Sequence, residues 1–482
     1  MRVPILVFFF LIVQLNNAQE KFLEINNDLK DGSRKVHTAF TIVDEQTGNF
    51  AVFLDDENKL YGFLYDTDLK LINRFTSEGL PKKYSEIVGY SINGEMIRLF
   101  LKDNRDKRFG SVLFNFSNGT TEETLYDFKL KDEVYVEGYS NTSTFHLITM
   151  SKESSLFNLY LFEEGSQLKK ETIDLSDERF IDNFGNQQNL NRIMAWGGAR
   201  QTSGSLYSFK VDKIDAHSPN SIETVSEIVK MYPGDSGFQI SVETEDLTYL
   251  IDISTKELDY LLKKIEKPRL SENSPNSNSF ILDDKIYQIS STRDEMAFSI
   301  KSLDNNEELK SILVGKDDEI YFKNTPIIQE GGTYSNYREM EKTSKFLRRL
   351  SKEDIGIAVT EHKNHYIITM GSKKDVQRGG GGMMMPGFGI PIATAGSFTV
   401  MFNPTFFAYG SYSNTKATQI ECIFDENFNH KEGEVPSNVF DKIHDAAENF
   451  PKKTAETIFK LKENYIWGYY NKKLDKYIMY KF

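Results

Sequence analysis

Two tripeptides, Gly89-Tyr90-Ser91 and Gly138-Tyr139-Ser140, stand 49 residues apart at equivalent points of a repeated strand pattern. That repeat constrains the fold more than any other feature. Its theme is a half-buried strand, a charged turn and a second strand with alternating aromatics. The run Phe50-Ala51-Val52-Phe53-Leu54, the turn Asp55-Asp56-Glu57-Asn58-Lys59 and the run Leu60-Tyr61-Gly62-Phe63-Leu64-Tyr65 show it most clearly. The hairpin returns over 96–116, 145–162, 238–253, 286–303, 355–370 and 465–482. A unit this small cannot bury its apolar face alone, so successive copies must stack on one another.

The period matches one four-stranded propeller blade better than a sandwich strand pair. With strands named A to D from the centre outward, one unit runs 39–44, 49–54, 60–65 and 69–75. Another runs 355–361 and 365–370, then 418–424 and 428–431, with about 45 residues inserted between B and C. Seven or eight units are expected, 193–229 being the least regular stretch. The end of the chain, 465–482, supplies a hairpin without a fourth strand; 22–25 is predicted to complete that sheet and remove two exposed edges. The predicted fold is therefore all-β, a propeller of seven or eight four-stranded blades over 19–482.

Two helices are expected in the D-to-A links. Over 337–350, Met340, Leu347 and Leu350 share one face, and Lys345, Arg348 and Arg349 suit a helix carboxyl end. Asn438 can cap a second helix in which Phe440, Ile443, Ala447 and Phe450 align before Pro451.

The inserted segment is also a hole in the charge pattern. Residues 379–415 contain no Asp, Glu, Lys, Arg or His, whereas a chain that is 27% charged should place about 10 charges there. The stretch opens on four glycines and Met383-Met384-Met385-Pro386, and continues through Phe388 and Ile390. Phe398, Val400 and Phe402 alternate as a buried strand would, and one reading makes the insert private core over the propeller's own mouth. The other leaves part of it as an exposed apolar contact for a partner. The strand directions put the insert and both helices at the same end of the blades. Arg192, Trp196 and Arg200, in the link before the fourth unit, are expected to line the mouth there. The partner-contact residues are thus Met383, Met384, Met385, Phe388, Ile390, Arg192, Trp196 and Arg200.

At the amino terminus Arg2, an apolar run over 3–13 and Asn16-Asn17-Ala18 before Gln19 read as an export signal, 1–18, too short to span a bilayer. The Asn-Ala-Gln ending and the abundance of Lys, Asn, Phe and Tyr resemble exported proteins of Bacteroidetes bacteria. With the blade pattern, the chain resembles β-propeller proteins of that type in architecture only; Trp-Asp and kelch signatures are missing, so no family's site residues carry over. The resemblance implies a place in the periplasm or at the cell exterior. The only cysteine, Cys422, forms no internal disulfide and falls on the inward side of a strand.

No catalytic, cofactor or metal signature is complete. Adjacent methionines cannot all converge on Cu(I), His362-x-x-His365 lacks a third ligand at metal spacing, and Asp66-Thr67-Asp68 and Asp425-Glu426-Asn427 are ordinary turns. A net charge of −13 opposes nucleic-acid binding. The expected function is non-enzymatic binding or scaffolding at the bacterial envelope, with a protein or glycan partner or a peripheral membrane contact. The alternative is an envelope hydrolase or lyase acting on carbohydrate or peptide in the propeller mouth.

Overall fold

The computed structural model describes residues 20–29, 35–162, 168–196, 209–271, 275–329, 337–373, 398–412, 417–450 and 453–482. The described residues are mostly in strands, which form seven four- or five-stranded sheets and one two-stranded hairpin among them. The first five sheets are sequential antiparallel meanders. The first comprises Thr38–Val43, Phe50–Asp55, Leu60–Tyr65 and Leu71–Ser77, and the second Glu86–Asn93, Met96–Lys102, Phe109–Asn115 and Thr120–Tyr126. The third runs Glu133–Asn141, Thr144–Ser151, Leu156–Phe162 and Leu168–Asp174. The fourth has Val229–Pro233, Gly237–Glu243, Leu247–Ser254 and Asp259–Glu266; the fifth has Asn276–Leu282, Lys285–Ser291, Glu295–Ser302 and Glu308–Gly315. The first unit thus matches its predicted strands to within two residues.

The period of 49 has a steric cause. Strand A of the second sheet packs on strand A of the third, and a glycine sits on each at the contact. A Cβ at Gly138 would stand 2.3 Å from the Val88 carbonyl oxygen, and one at Gly89 would stand 2.3 Å from the Phe145 ring. The Tyr90 amide donates to Ser140 Oγ at 2.8 Å across the same contact. Only glycine lets the two backbones approach so closely.

The seventh sheet comprises Lys453–Leu461, Asn464–Asn471 and Lys476–Lys481, with Glu20–Asn26 as its outer strand. Glu20–Asn26 pairs antiparallel with Lys476–Lys481, Ile25 opposite Tyr477, so the predicted amino-terminal closing strand is observed. The paired strands join a shared core with the first sheet in which Ile25, Phe50, Phe63, Tyr477 and Met479 are buried.

The sixth sheet departs from expectation. Its strands A to C are Asp354–His362, His365–Lys373 and Ala417–Asp425, but strand D is Ile327–Gln329, from upstream in the chain, with Arg338–Met340 outside it. Ile328 opposes Gln419, where 428–431 was expected to pair; that stretch turns back with only a bridge between Phe424 and His430. Helix formation over 337–350 is correspondingly confined to Thr343–Leu350, because Arg338–Met340 is taken up as a strand. Met340, Leu347 and Leu350 are nevertheless buried.

Five helices occur among the described residues, against the two expected: α1 Leu190–Trp196, α2 Ile222–Val225, α3 Thr343–Leu350, α4 Pro404–Tyr412 and α5 Val439–Glu448. The predicted cap on α5 is present as a capping box, with Asn438 accepting from the Phe440 and Asp441 amides and Asp441 accepting from the Asn438 amide.

Candidate functional site

Two segments each add a fifth, parallel strand beside the strand A of a sheet. Asp212–Lys213 pairs in parallel with Val229–Pro233, Asp212 opposite Lys230. Thr399–Val400 pairs in parallel with Glu86–Asn93, Thr399 opposite Glu86. The second belongs to the uncharged insert. Phe398 and Val400 are buried in the core of the first two sheets, and the Phe402 ring stands edge-on to Phe40 and Tyr90. The insert then turns into α4, whose Ala408 and Tyr409 share a core with Phe440 and Ile443 of α5 and with Trp467. For 398–412 the insert is therefore private core.

This path changes the face that the insert reaches. It departs after Lys373, at the end of the sixth sheet where strand B finishes. Thr399 N bonds Ser85 O just before strand A of the second sheet, whereas Pro404 stands beside the A-to-B turns of the fourth and fifth sheets. The described part of the insert, 398–412, runs from one end of the strands A to the other, where all of the insert was expected at the B-to-C end.

Asp215 pins these segments together. Its carboxylate accepts from Lys460 Nζ at 2.9 Å, from Thr405 Oγ1 at 2.7 Å and from Ser218 Oγ at 2.5 Å. Burial pushes the Asp215 carboxyl up, but Lys460 and the hydroxyls more than reverse it and hold it below the usual range. One ionised carboxylate thus joins the 209–226 loop, α4 of the insert and strand A of the seventh sheet. Ser221, the cap of α2, also bonds Ser411 of α4.

Beside this junction lies a cavity of about 430 Å³. Tyr232, Pro233, Phe238, Ile281 and Pro404 give it apolar walls, and Asp215, His217, Gln239, Asp252 and Asp283 give it polar ones. Gln239 Nε2 donates to Asp252 at 3.0 Å, and His217 Nε2 lies 3.6 Å from Asp283. A second cavity of about 190 Å³ shares Gln239, Asp252 and Asp283 with it and adds Lys263, Asp284 and Asp304. Apolar walls with a few directed polar groups are the usual makeup of a ligand site.

At the end of the fourth and fifth sheets opposite the cavity, a charge trio is buried. Lys230 Nζ and Lys267 Nζ stand 3.0 and 2.9 Å from Glu243, all three side chains being at most 2% exposed. Ser279 Oγ and Thr248 Oγ1 also donate to Glu243, at 2.6 and 2.9 Å. Burial pushes the Glu243 carboxyl up, and the two ammonium groups override it, bringing it to about 2. Burial pulls Lys267 below the ordinary lysine range, with Glu243 offsetting only part. Two buried cations share one anion, so the trio carries an excess positive charge.

Of the predicted contact residues, Met383, Met384, Met385, Phe388, Ile390 and Arg200 lie outside the described residues. Arg192 is exposed on α1 and does not line the cavity; Trp196 ends that helix, whose Leu190, Ile193 and Met194 are buried in the core shared by the third and fourth sheets. Cys422 is fully buried, and burial raises its thiol well above the usual range. His362 and His365 oppose one another across the A-to-B turn of the sixth sheet. The cavity residues went unrecognised because Asp215, Asp252 and Asp283 stand in unrelated local sequences that carry no motif.

No family model matches the chain, and no curated protein matches it. Among solved structures it is similar to the Dos1 propeller, at 9% identity and a TM-score of 0.28, covering 96% of this chain and 95% of that one. It is also similar to the β-propeller domain of the Trilobed protease from Pyrococcus furiosus, at 11% identity and a TM-score of 0.24, covering 60% and 78%. An ACO/RPE65 chimera aligns at 7% identity and a TM-score of 0.28 over 55% of this chain, which spans 58% of that structure's length. At such TM-scores the alignments add no weight of their own. The propeller architecture rests on the succession of four-stranded meanders and on the amino-terminal strand that completes the last of them.

Proposed function

We propose that the chain is a closed seven-bladed propeller exported to the bacterial envelope, where it acts as a non-enzymatic binding protein. The ligand or partner is taken at the cavity between the fourth and fifth blades. The observation that carries this reading is that cavity, about 430 Å³ in volume, with Pro404 of the insert in its wall. The insert occupies the interior with its own apolar side chains and also helps shape the opening. A second reading, an envelope hydrolase or lyase, is favoured by the His217–Asp283 pair at the cavity.

The test fills the cavity. Ala216 lines it, and Ala216→Trp should abolish capture of envelope proteins or glycans by the full chain while leaving the unfolding midpoint in place. Capture undiminished in a folded Ala216→Trp protein would remove the cavity from the binding reading. Turnover of a glycan or peptide by wild type, lost in His217→Ala and Asp283→Asn, would establish the enzymatic reading instead.

A further inference from the structure

The two sheets that wall the cavity meet through an unusually polar seam. Toward the fifth sheet the fourth presents Tyr232 and Ser241 beside Lys230 and Glu243; toward the fourth, the fifth presents Gln288, Ser290 and Ser299 beside Ser279. The contact between these faces is direct, since Ser279 Oγ reaches Glu243 and Thr248 Oγ1 reaches Ser279 at 3.4 Å. Among the described residues, Tyr232 Oη, Ser241 Oγ, both amide atoms of Gln288, Ser290 Oγ and Ser299 Oγ are buried without a hydrogen-bond partner. Gln288, Ser241, Ser290 and Ser299 are wholly inaccessible, and Tyr232 is 7% exposed.

The orphans are gathered by the strand register. Gln288 stands opposite Ser279 on one neighbour and Ser299 on the other, and Ser290 opposes Ser277. Ser241 opposes Lys230, and Tyr232 opposes Gln239. The Tyr232 hydroxyl approaches Ser241 and the Ile281 backbone without closing a bond. The boundary of the third and fourth sheets is the opposite case, filled by Met150, Phe157, Ile240 and Ile251. Buried polar groups persist in folded proteins when something satisfies them, and a seam offering both donors and acceptors suits water, which makes about three bonds.

We infer that the seam between the fourth and fifth sheets is an internal hydration site holding about two or three ordered waters. Tyr232 and Gln239 belong to both the seam and the cavity wall, so the cavity is the route by which water enters. These two sheets are joined by an ion trio at one end and by water along the middle.

A crystal structure of the full chain that orders solvent tests this. The expected result is water within about 3 Å of Gln288 and of Ser241, Ser290 or Ser299. A seam closed by direct bonds from Gln288 to those serines, with no water, would overturn the inference. In solution, deuterium and oxygen-17 magnetic relaxation dispersion counts long-lived internal waters, and folded Gln288→Leu should hold at least one fewer than wild type. An unchanged count in the folded variant would also overturn it.

Discussion

Replacing Glu243 by glutamine should be among the most damaging single isosteric changes in this protein. The substitution keeps the shape but leaves two buried lysines facing a neutral amide. The ordinary carboxyl value of 4.5 falls to about 2 here, and at about 1.4 kcal/mol per pKa unit this amounts to about 3 kcal/mol at neutral pH. Breaking other buried pairs costs ~3–5 kcal/mol, the same range. For 482 residues at ~2 cal/mol/K each, the unfolding entropy is on the order of 1 kcal/mol/K, so the melting temperature should fall by about 3 °C. Glu243 is a depressed acid, so its contribution is present above 4.5 and lost as pH falls toward 2. Wild type and Glu243→Gln should therefore converge on acidification, and Lys267→Met should cost less than Glu243→Gln because it removes the excess charge. Denaturant unfolding from pH 7 down to pH 2.5 is the assay. A deficit below about 1 kcal/mol at pH 7, or one that does not narrow on acidification, would refute the reasoning.

Other outcomes follow from the same structure. His146 is 7% exposed and burial holds its imidazole down at about 4; the unfolded chain protonates first, so stability should drop between pH 6.5 and 4, and His146→Leu should flatten that slope in a urea titration. Gly138→Ala drives a methyl group into the Val88 carbonyl and should cost ~1–3 kcal/mol, read as a lower denaturant midpoint; an unchanged midpoint would contradict the close approach. Cys422, buried with its thiol pushed up, should resist alkylation in the native protein and react on unfolding, whereas equal rates would place it at the surface. Val400→Asp puts a charge into the core of the first two sheets and should lower the unfolding free energy by several kcal/mol, read as a lower denaturant midpoint, while deletion of 379–391 should leave that midpoint in place.

What could be read from the sequence was whatever a local pattern encodes. The first unit's strands, the Asn438 cap and the alternation of Phe398, Val400 and Phe402 all express a periodicity or a cap within a few residues. The closing strand at Glu20–Asn26 was legible for another reason, namely a sheet one strand short beside an unassigned strand at the other end of the chain. The misses are pairings too short to leave a pattern. Ile327–Gln329 has three residues, and Asp212–Lys213 and Thr399–Val400 have two each; their partners are set by tertiary geometry alone. The cavity is harder still, because Asp215, Asp252 and Asp283 come together only once two sheets and a loop are placed.

The pairing of Glu20–Asn26 with Lys476–Lys481 sets an order of events for a chain made from its amino end. The outer strand of the seventh sheet is made well before its partner, Glu24 standing 452 residues ahead of Lys476, so it must wait, unpaired, while the intervening chain is made. During that interval its backbone is an open edge able to join another molecule. Its charged residues, Glu20, Lys21 and Glu24, make it a poor template for such capture, and Glu24 finds Lys476 only when the final strand arrives. The last sheet is therefore completed only once residues 476–481 have been made, and a chain cut short before them keeps its loose edge.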